Sequence, residues 1–262
     1  MAAKLFREER LHLIMEKIYK EKKIVVKDLA DEFNRSLPSI RLDLAELESR
    51  GLINRTHGGA ILADMVNNNY IASKTFLQLR EETKKAEKQR IGKAVLDLIQ
   101  DGDSIMIDGG SSTYYVAKYL GEKRGLTIIT TSYHMLPVLL EIPDAKIYLT
   151  GGLIHRDYED LIGDITVDAI QRFKPSYSII GIDGISIKHG LTTTDPLMAN
   201  IKKRIMSVSD KVILASDSSK FGKVCLMHVA DLEEIYAIVT DTDVPAEFVN
   251  AIEPMNTKLV QV

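Results

Sequence analysis

The residues of this 262-residue chain best suited to chemistry sit directly after short apolar runs. After 104–107 comes Asp108-Gly109-Gly110-Ser111-Ser112-Thr113, leading into a helix expected over 114–120. Glycines let the backbone approach a ligand, a helix start offers unpaired N–H groups at the positive end of the dipole, and three hydroxyls add donors. That is the chemistry of a phosphate cradle. The loop lacks the GK[ST] ending of a Walker A motif, and a capped strand-to-helix turn is an equal reading of it taken alone. Later runs end in similar residues: Thr130-Thr131-Ser132, Gly151-Gly152, Gly181-Ile182-Asp183-Gly184, and Ser216-Asp217-Ser218-Ser219-Lys220-Phe221-Gly222. Lys202 and Lys220 are cations suited to a phosphate, and Asp108 and Asp183 can accept hydrogen bonds from sugar hydroxyls. The candidate ligand set is Asp108, Gly110, Ser111, Ser112, Thr113, Thr130, Gly152, Asp183, Gly184, Lys202, Ser219 and Lys220.

A second set lies near the N-terminus. The spacing predicts a helix over 27–33, a turn at Asn34-Arg35-Ser36, and a second helix over 37–50 with Ile40, Leu44 and Leu47 inward. Ser36 can cap that helix, Pro38 suits its first turn, and Gly51 suits its end. Ser39, Arg41 and Asp43 fall off the apolar stripe. Two short helices joined by a tight turn, the second showing Ser and Arg outward, make a helix-turn-helix. Strands expected over 52–55 and 60–62, joined by His57-Gly58-Gly59, would add a wing. Arg35, Ser36, Ser39 and Arg41 are the expected base or phosphate contacts, with Arg55 and His57 touching the backbone from the wing. A three-helix packing module is the bland alternative.

The elements that must position these residues follow a simple order. An amphipathic helix over 6–20 buries Leu11, Ile14, Met15 and Ile18, leaving Arg7, Glu8, Glu9, Arg10, Glu16 and Lys17 to solvent. Asn67-Asn68-Asn69 suggests a hinge, and 75–88 is charged and helical in part. A helix over 87–100 turns Ile91, Ala94, Val95, Leu98 and Ile99 inward. Beyond it, apolar runs near 104, 126, 146, 177, 212 and 235 alternate with helical segments. This α/β pattern implies a mainly parallel sheet with ligands held beyond the strands' carboxyl ends. The expected division is a head over 1–63, a linker over 64–84 and an α/β effector domain over 85–262.

These residues resemble a known family. Ser36, Ser39-Ile40-Arg41, Asp43-Leu44, Leu47-Glu48, Gly51-Leu52, Arg55 and His57-Gly58-Gly59-Ala60 resemble the SxxTIRRDLxxLExxGxLxRxHGGA pattern of DeoR-family bacterial transcriptional regulators. Leu42 and Ser39 depart from it, standing where the family usually has a second arginine and a threonine. The DGGSST, TGG, GIDG and DSSKFG strings resemble that family's effector domain, itself similar in fold to ribose-5-phosphate isomerase. Thr131 and Met198 depart there, standing for the usual Asn and Glu. The resemblance implies operator DNA and a phosphorylated sugar or related metabolite as partners, a homo-oligomer, and repression of a carbohydrate operon. It implies no metal and no cofactor.

Composition fits that outline. Charged residues make up 27% and the formal charge is −3, yet residues 1–63 carry twelve Lys/Arg against ten Asp/Glu. DNA contact must therefore come from a local patch. Cys225, the lone cysteine, excludes an internal disulfide and reads as a buried bystander. No stretch reaches membrane-span length and no signal-peptide core opens the chain, so the cytoplasm is the expected location. The competing expectation is a sugar-phosphate isomerase or hydrolase with an appended DNA-binding head; a weaker third is a protein-interaction module. An isomerase needs a carboxylate base, and Asp183-Gly184 runs on into Ile185-Ser186-Ile187 without a second acid. His155, His189 and His228 show no partner in the sequence.

Overall fold

The computed structural model describes residues 7–21, 23–49, 53–56, 58–62 and 76–262. Gly51, His57 and Asn67-Asn68-Asn69 therefore lie outside the described residues. The chain divides into two units, Met1–Leu79 and Arg80–Val262.

The first unit runs α1 (Arg7–Glu21), β1 (Lys23–Val25), α2 (Val26–Glu32), α3 (Leu37–Ser49), β2 (Ile53–Thr56) and β3 (Gly59–Leu62). Leu11, Ile14, Met15 and Ile18 of α1 pack with Leu29 of α2 and with Ile40, Leu44 and Leu47 of α3. Asn34 takes the left-handed backbone (φ 48°) that turns α2 into α3. The wing has three strands, not the expected two, because β1 pairs with β3 on the edge opposite β2. At Gly59 a Cβ would lie 1.8 Å from the Ile24 carbonyl oxygen, so only glycine lets β1 approach. Arg10, expected to be solvated, and Asp43, off the apolar stripe, are both buried. Arg10 grips Asp43 through Nε and Nη2 at 2.5 and 3.0 Å, which ties α1 to α3 behind the exposed face.

The division between units falls within α4 (Phe76–Glu82). Then come α5 (Lys85–Val95), β4 (Ser104–Ile107), α6 (Ser111–Tyr119), β5 (Thr127–Thr130), α7 (Leu136–Leu139), β6 (Lys146–Leu149), β7 (Leu153–His155) and β8 (Asp160–Ile162). They are followed by α8 (Asp164–Ile170), β9 (Tyr177–Ile180), β10 (Gly184–Ser186), β11 (Gly190–Thr193), α9 (Pro196–Ser207) and β12 (Lys211–Ala215). The chain closes with β13 (Met227–Ala230), β14 (Ala237–Thr240), α10 (Ala246–Ile252) and β15 (Lys258–Gln261). Two helix bounds differ from expectation. Helix α5 gives way to a 3-10 turn at Leu96–Leu98, and α6 starts at Ser111, inside the loop expected to precede it.

Seven strands form one sheet in the order β15-β14-β12-β9-β4-β5-β6, every pair parallel. Strand alternation sends Ile105 and Ile107 to one face, with Ile91 and Val95 of α5 and Val116 of α6. Met106 goes to the other, with Ile170 of α8 and Ile201 and Ile205 of α9. Both faces of the central strands are covered, which is why those strands read as unbroken apolar runs, while edge strand β6 is mostly exposed. The chain grows outward from β4 through β5 to β6, then returns to lay β9 on β4's other side. The crevice between the ends of β4 and β9 is the switch point where such sheets hold ligands. Cys225 is half-buried, and no helix among the described residues is long and apolar enough to cross a membrane.

Candidate ligand site and nucleic-acid interface

Asp108 closes the switch-point crevice. Its Oδ1 accepts from the Gly181 amide at 3.0 Å, joining the loops after β4 and β9, and its Oδ2 is paired with Lys202 of α9. Burial pushes the Asp108 carboxyl up, against Lys202, Gly181 and Thr113. These two candidates therefore neutralise each other and brace the loop instead of standing free. Directly above them, Gly110 opens α6 in extended backbone (φ 172°), and no side chain caps the helix. Ser111, Ser112 and Thr113 are buried in its first turn, and Thr113 Oγ1 donates to the Gly110 carbonyl at 3.0 Å. The amides of that turn are where an anion gains most.

Across the crevice stands a cluster of charge. Asp183, after β9, accepts from Arg80 Nη2 at 2.7 Å and from Thr193 Oγ1 and the Thr194 amide at 2.5 and 3.3 Å. Burial opposes its charge, but Arg80, Lys220 and Thr193 outweigh burial and hold the carboxyl well below the usual range. Lys220 sits beside Arg80, Asp217 and Asp183, and burial followed by Arg80 brings its ammonium down to about 8. Among the described residues its Nζ makes no hydrogen bond and no ion pair within 4 Å. A cation with no such partner among the described residues, beside half-buried Arg80, is the kind of perturbed charge found at ligand sites.

The remaining candidates have other work. Thr130 Oγ1 donates to the Ile107 carbonyl and accepts from the Ser132 amide, locking the ends of β4 and β5 together. Ser219 Oγ and its amide are both satisfied by Asp217 Oδ1. A Cβ on Gly184 would lie 2.7 Å from the Lys223 carbonyl oxygen and from Thr192 Oγ1, so this glycine serves close packing in β10. Gly152 (φ +127°) likewise fits under Thr166, with its Cβ position 2.0 Å from Thr166 Oγ1.

The crevice also holds residues absent from the sequence-based set. Arg80 and Glu81 come from α4, and Lys88 from α5. Lys88 Nζ donates to the Arg80 and Thr83 carbonyls and stands 3.8 Å from Asp217; burial brings its ammonium down to about 7. Lys84, Lys88, Ile91 and Val95 share one helical stripe, so lysines on an apolar face were the signal available. His134 lies between Glu81 and Glu159, 2.6 Å from each, and against the ring of Tyr114 at 4.7 Å. Burial opposes its charge, but the two flanking carboxylates raise it to about 9. Two of the three histidines without visible partners have them: His155 is 3.4 Å from Asp195, the N-cap of α9, and exposed His228 is 3.2 Å from Asp231.

In the first unit, Lys27, Leu37, Arg41, Arg55, Thr56 and Gly58 line a cleft of about 720 Å³ between the start of α3 and the wing. Arg41 and Ser36 are exposed, and Arg35 and Ser39 half-buried. Arg55 is exposed on the wing, held by Glu48 at 3.7 Å, with its amide also donating to Glu48. Leu42 is 65% exposed on the outward side of α3. Asp43, two residues from Arg41, is no surface residue; Arg10 holds it inside. The structure thus brings Arg41 and Arg55 to one concave surface.

Residues 10–66 match the DeoR-like helix-turn-helix domain, and residues 83–242 match the DeoR C terminal sensor domain. The L-fucose operon activator of Haemophilus influenzae is 31% identical over 90% of this chain and 92% of its own. The glycerol-3-phosphate regulon repressor of Escherichia coli K12 is 30% identical over 96% of this chain and 97% of its own. A putative aga operon transcriptional repressor of Escherichia coli O157:H7 is 26% identical over 97% and 93%. Among solved structures, a D-ribose-5-phosphate isomerase in complex with phospho-erythronic acid matches 52% of this chain and 54% of its own, at 21% identity and a TM-score of 0.40. With a sensor-domain match spanning more than half its length, the chain belongs to the DeoR family of transcriptional regulators.

Proposed function

We propose that the chain is a cytoplasmic repressor of a carbohydrate-metabolism operon whose grip on operator DNA is set by a phosphorylated sugar. In this reading residues 1–63 form the reading head, 64–84 the joint and 85–262 the effector domain. Helix α3 enters the major groove, with Ser36, Ser39 and Arg41 at the bases or phosphates and Arg55 on the backbone. The observation that carries the effector reading is Lys220, which makes no hydrogen bond or close ion pair among the described residues, at the switch-point crevice that the uncapped start of α6 also borders. A phosphate fits both, and carboxylates and hydroxyls around the crevice suit a sugar. The relatives named for fucose, aga and glycerol-3-phosphate systems favour that chemistry. Binding without turnover is the reading that the relatives named as regulators favour; Asp183, held well below the usual carboxylate range, and Asp108, engaged by Lys202, are poor candidates for a base. Operator symmetry favours a homo-oligomer.

Two variants test the assignment together. Arg41→Ala should cost about 1–3 kcal/mol of operator affinity and leave the melting temperature unchanged, since the side chain is exposed. Lys220→Ala should keep operator affinity and lose stabilisation by every sugar phosphate that stabilises the parent. Loss of folding in the first, or an unaltered ligand response in the second, would remove that residue from its assigned role.

A further inference from the structure

The segment that opens the sensor unit is fastened to the ligand crevice at four points, all on loops at the carboxyl ends of the sheet. Arg80 reaches Asp183 after β9 at 2.7 Å. Glu81 reaches His134 after β5 at 2.6 Å. Lys84 Nζ donates to Ser218 Oγ after β12 at 2.7 Å and lies 3.9 Å from Asp241 after β14. Lys88 reaches back to the Arg80 carbonyl and across to Asp217. Tyr115 Oη donates to the Glu81 carbonyl at 3.4 Å, which sets the end of α4 beside the first turns of α6. Packing alone does not call for this. A helix held on a sheet by its apolar face has no need to spend Arg, Glu and two Lys on ligand loops.

We propose that Arg80 is a ligand contact and the lever of the response: an incoming phosphate replaces Asp183 as its partner, and the exchange releases or resets α4. The proposal rests on the sugar-phosphate reading of the crevice. Three features support it. A guanidinium binds phosphate in the same forked geometry as a carboxylate, and a dianion competes well with a monoanion for it. Asp183 does not become an orphan on exchange, because Thr193 Oγ1, the Thr194 amide and Thr194 Oγ1 remain. Arg80 stands in α4, and the chain preceding α4 leads through residues 63–75 to the wing, so the moved element is joined covalently to the head. Differential contact with the two states is what a ligand needs to shift an equilibrium.

The test uses the full chain, with operator affinity measured by fluorescence anisotropy and ligand affinity by calorimetry. Inorganic phosphate and a panel of triose, pentose and hexose phosphates serve as probes. The parent's operator affinity should change about 5- to 150-fold with the active compound, the usual scale of such coupling. Arg80→Gln should bind that compound at least about tenfold more weakly, one hydrogen-bonded charge being worth that much, and the coupling ratio should fall to about 1. Arg80→Lys should restore part of both. Because Arg80→Gln strands Asp183, the double variant Arg80→Gln/Asp183→Asn, which removes both charges, guards against misfolding and should show the same uncoupling. Lys85→Gln, on an exposed side chain, should behave as the parent. Full coupling in folded Arg80→Gln or in the double variant would overturn the lever. Failure of every sugar phosphate to bind the parent would instead overturn the effector reading beneath it.

Discussion

Asp43 and Arg41 are two residues apart on one helix and do opposite work. Arg41 faces the cleft, whereas Asp43 is 1% exposed and held by Arg10. Asp43→Ala would leave the Arg10 charge buried without its partner, a defect that costs about 3–5 kcal/mol. Urea denaturation should show that loss, and Arg10→Met/Asp43→Leu should recover most of it; a loss below about 1 kcal/mol would mean the pair is solvated. Residue types near the two sites were legible because their chemistry is local: Lys220, Asp183 and the Ser111–Thr113 hydroxyls follow apolar runs. What spacing could not give was pairing. Nothing in the order of residues says that Asp108 is engaged by Lys202, 94 positions away, or that Arg80 belongs beside Asp183. Those partnerships are made by strand order.

Among elements, α4 decides most. Its Glu81 shares His134 with Glu159, and the imidazolium bridges the end of α4 to the loops after β5 and β7. The folded value of about 9 lies above the ordinary 6.5, so the bridge contributes fully below about pH 6.5 and is lost as pH rises through about 9. His134→Gln should therefore be less stable than the parent at pH 6, with the gap closing by about pH 9.5 in thermal melts. A gap independent of pH would show that His134 is not charged in the fold. Six of the seven parallel strands were legible because burial leaves runs such as Ser104–Ile107 and Lys211–Ala215 nearly continuous in apolar residues; β15, a half-exposed edge strand, was not expected. The antiparallel pieces were not legible. β7, β10 and β11 are three or four residues long, carry Gly, Ser, Thr and His, and exist only through their pairing partners. β1 was missed likewise, because its pairing depends on the bare backbone of Gly59.

At the scale of the whole molecule, the two units carry different charge and different tasks. Residues 1–63 hold a slight excess of Lys and Arg in a chain whose formal charge is −3, so DNA attraction is confined to the head. The sensor unit offers a crevice at the sheet's switch point, closed on one side by α6 and on another by the segment that leads back toward the head. Occupancy of the crevice and affinity for DNA are, on this account, two readouts of one equilibrium, and by linkage each must change the other equally. The most direct measurement is a fluorescence anisotropy titration of the full chain on the duplex upstream of its own gene, at physiological salt. A scrambled duplex is the control, and each titration is repeated with and without a panel of sugar phosphates. The account predicts selective binding to the upstream duplex that one sugar phosphate weakens about 5- to 150-fold. Selective binding that no sugar phosphate alters would contradict it.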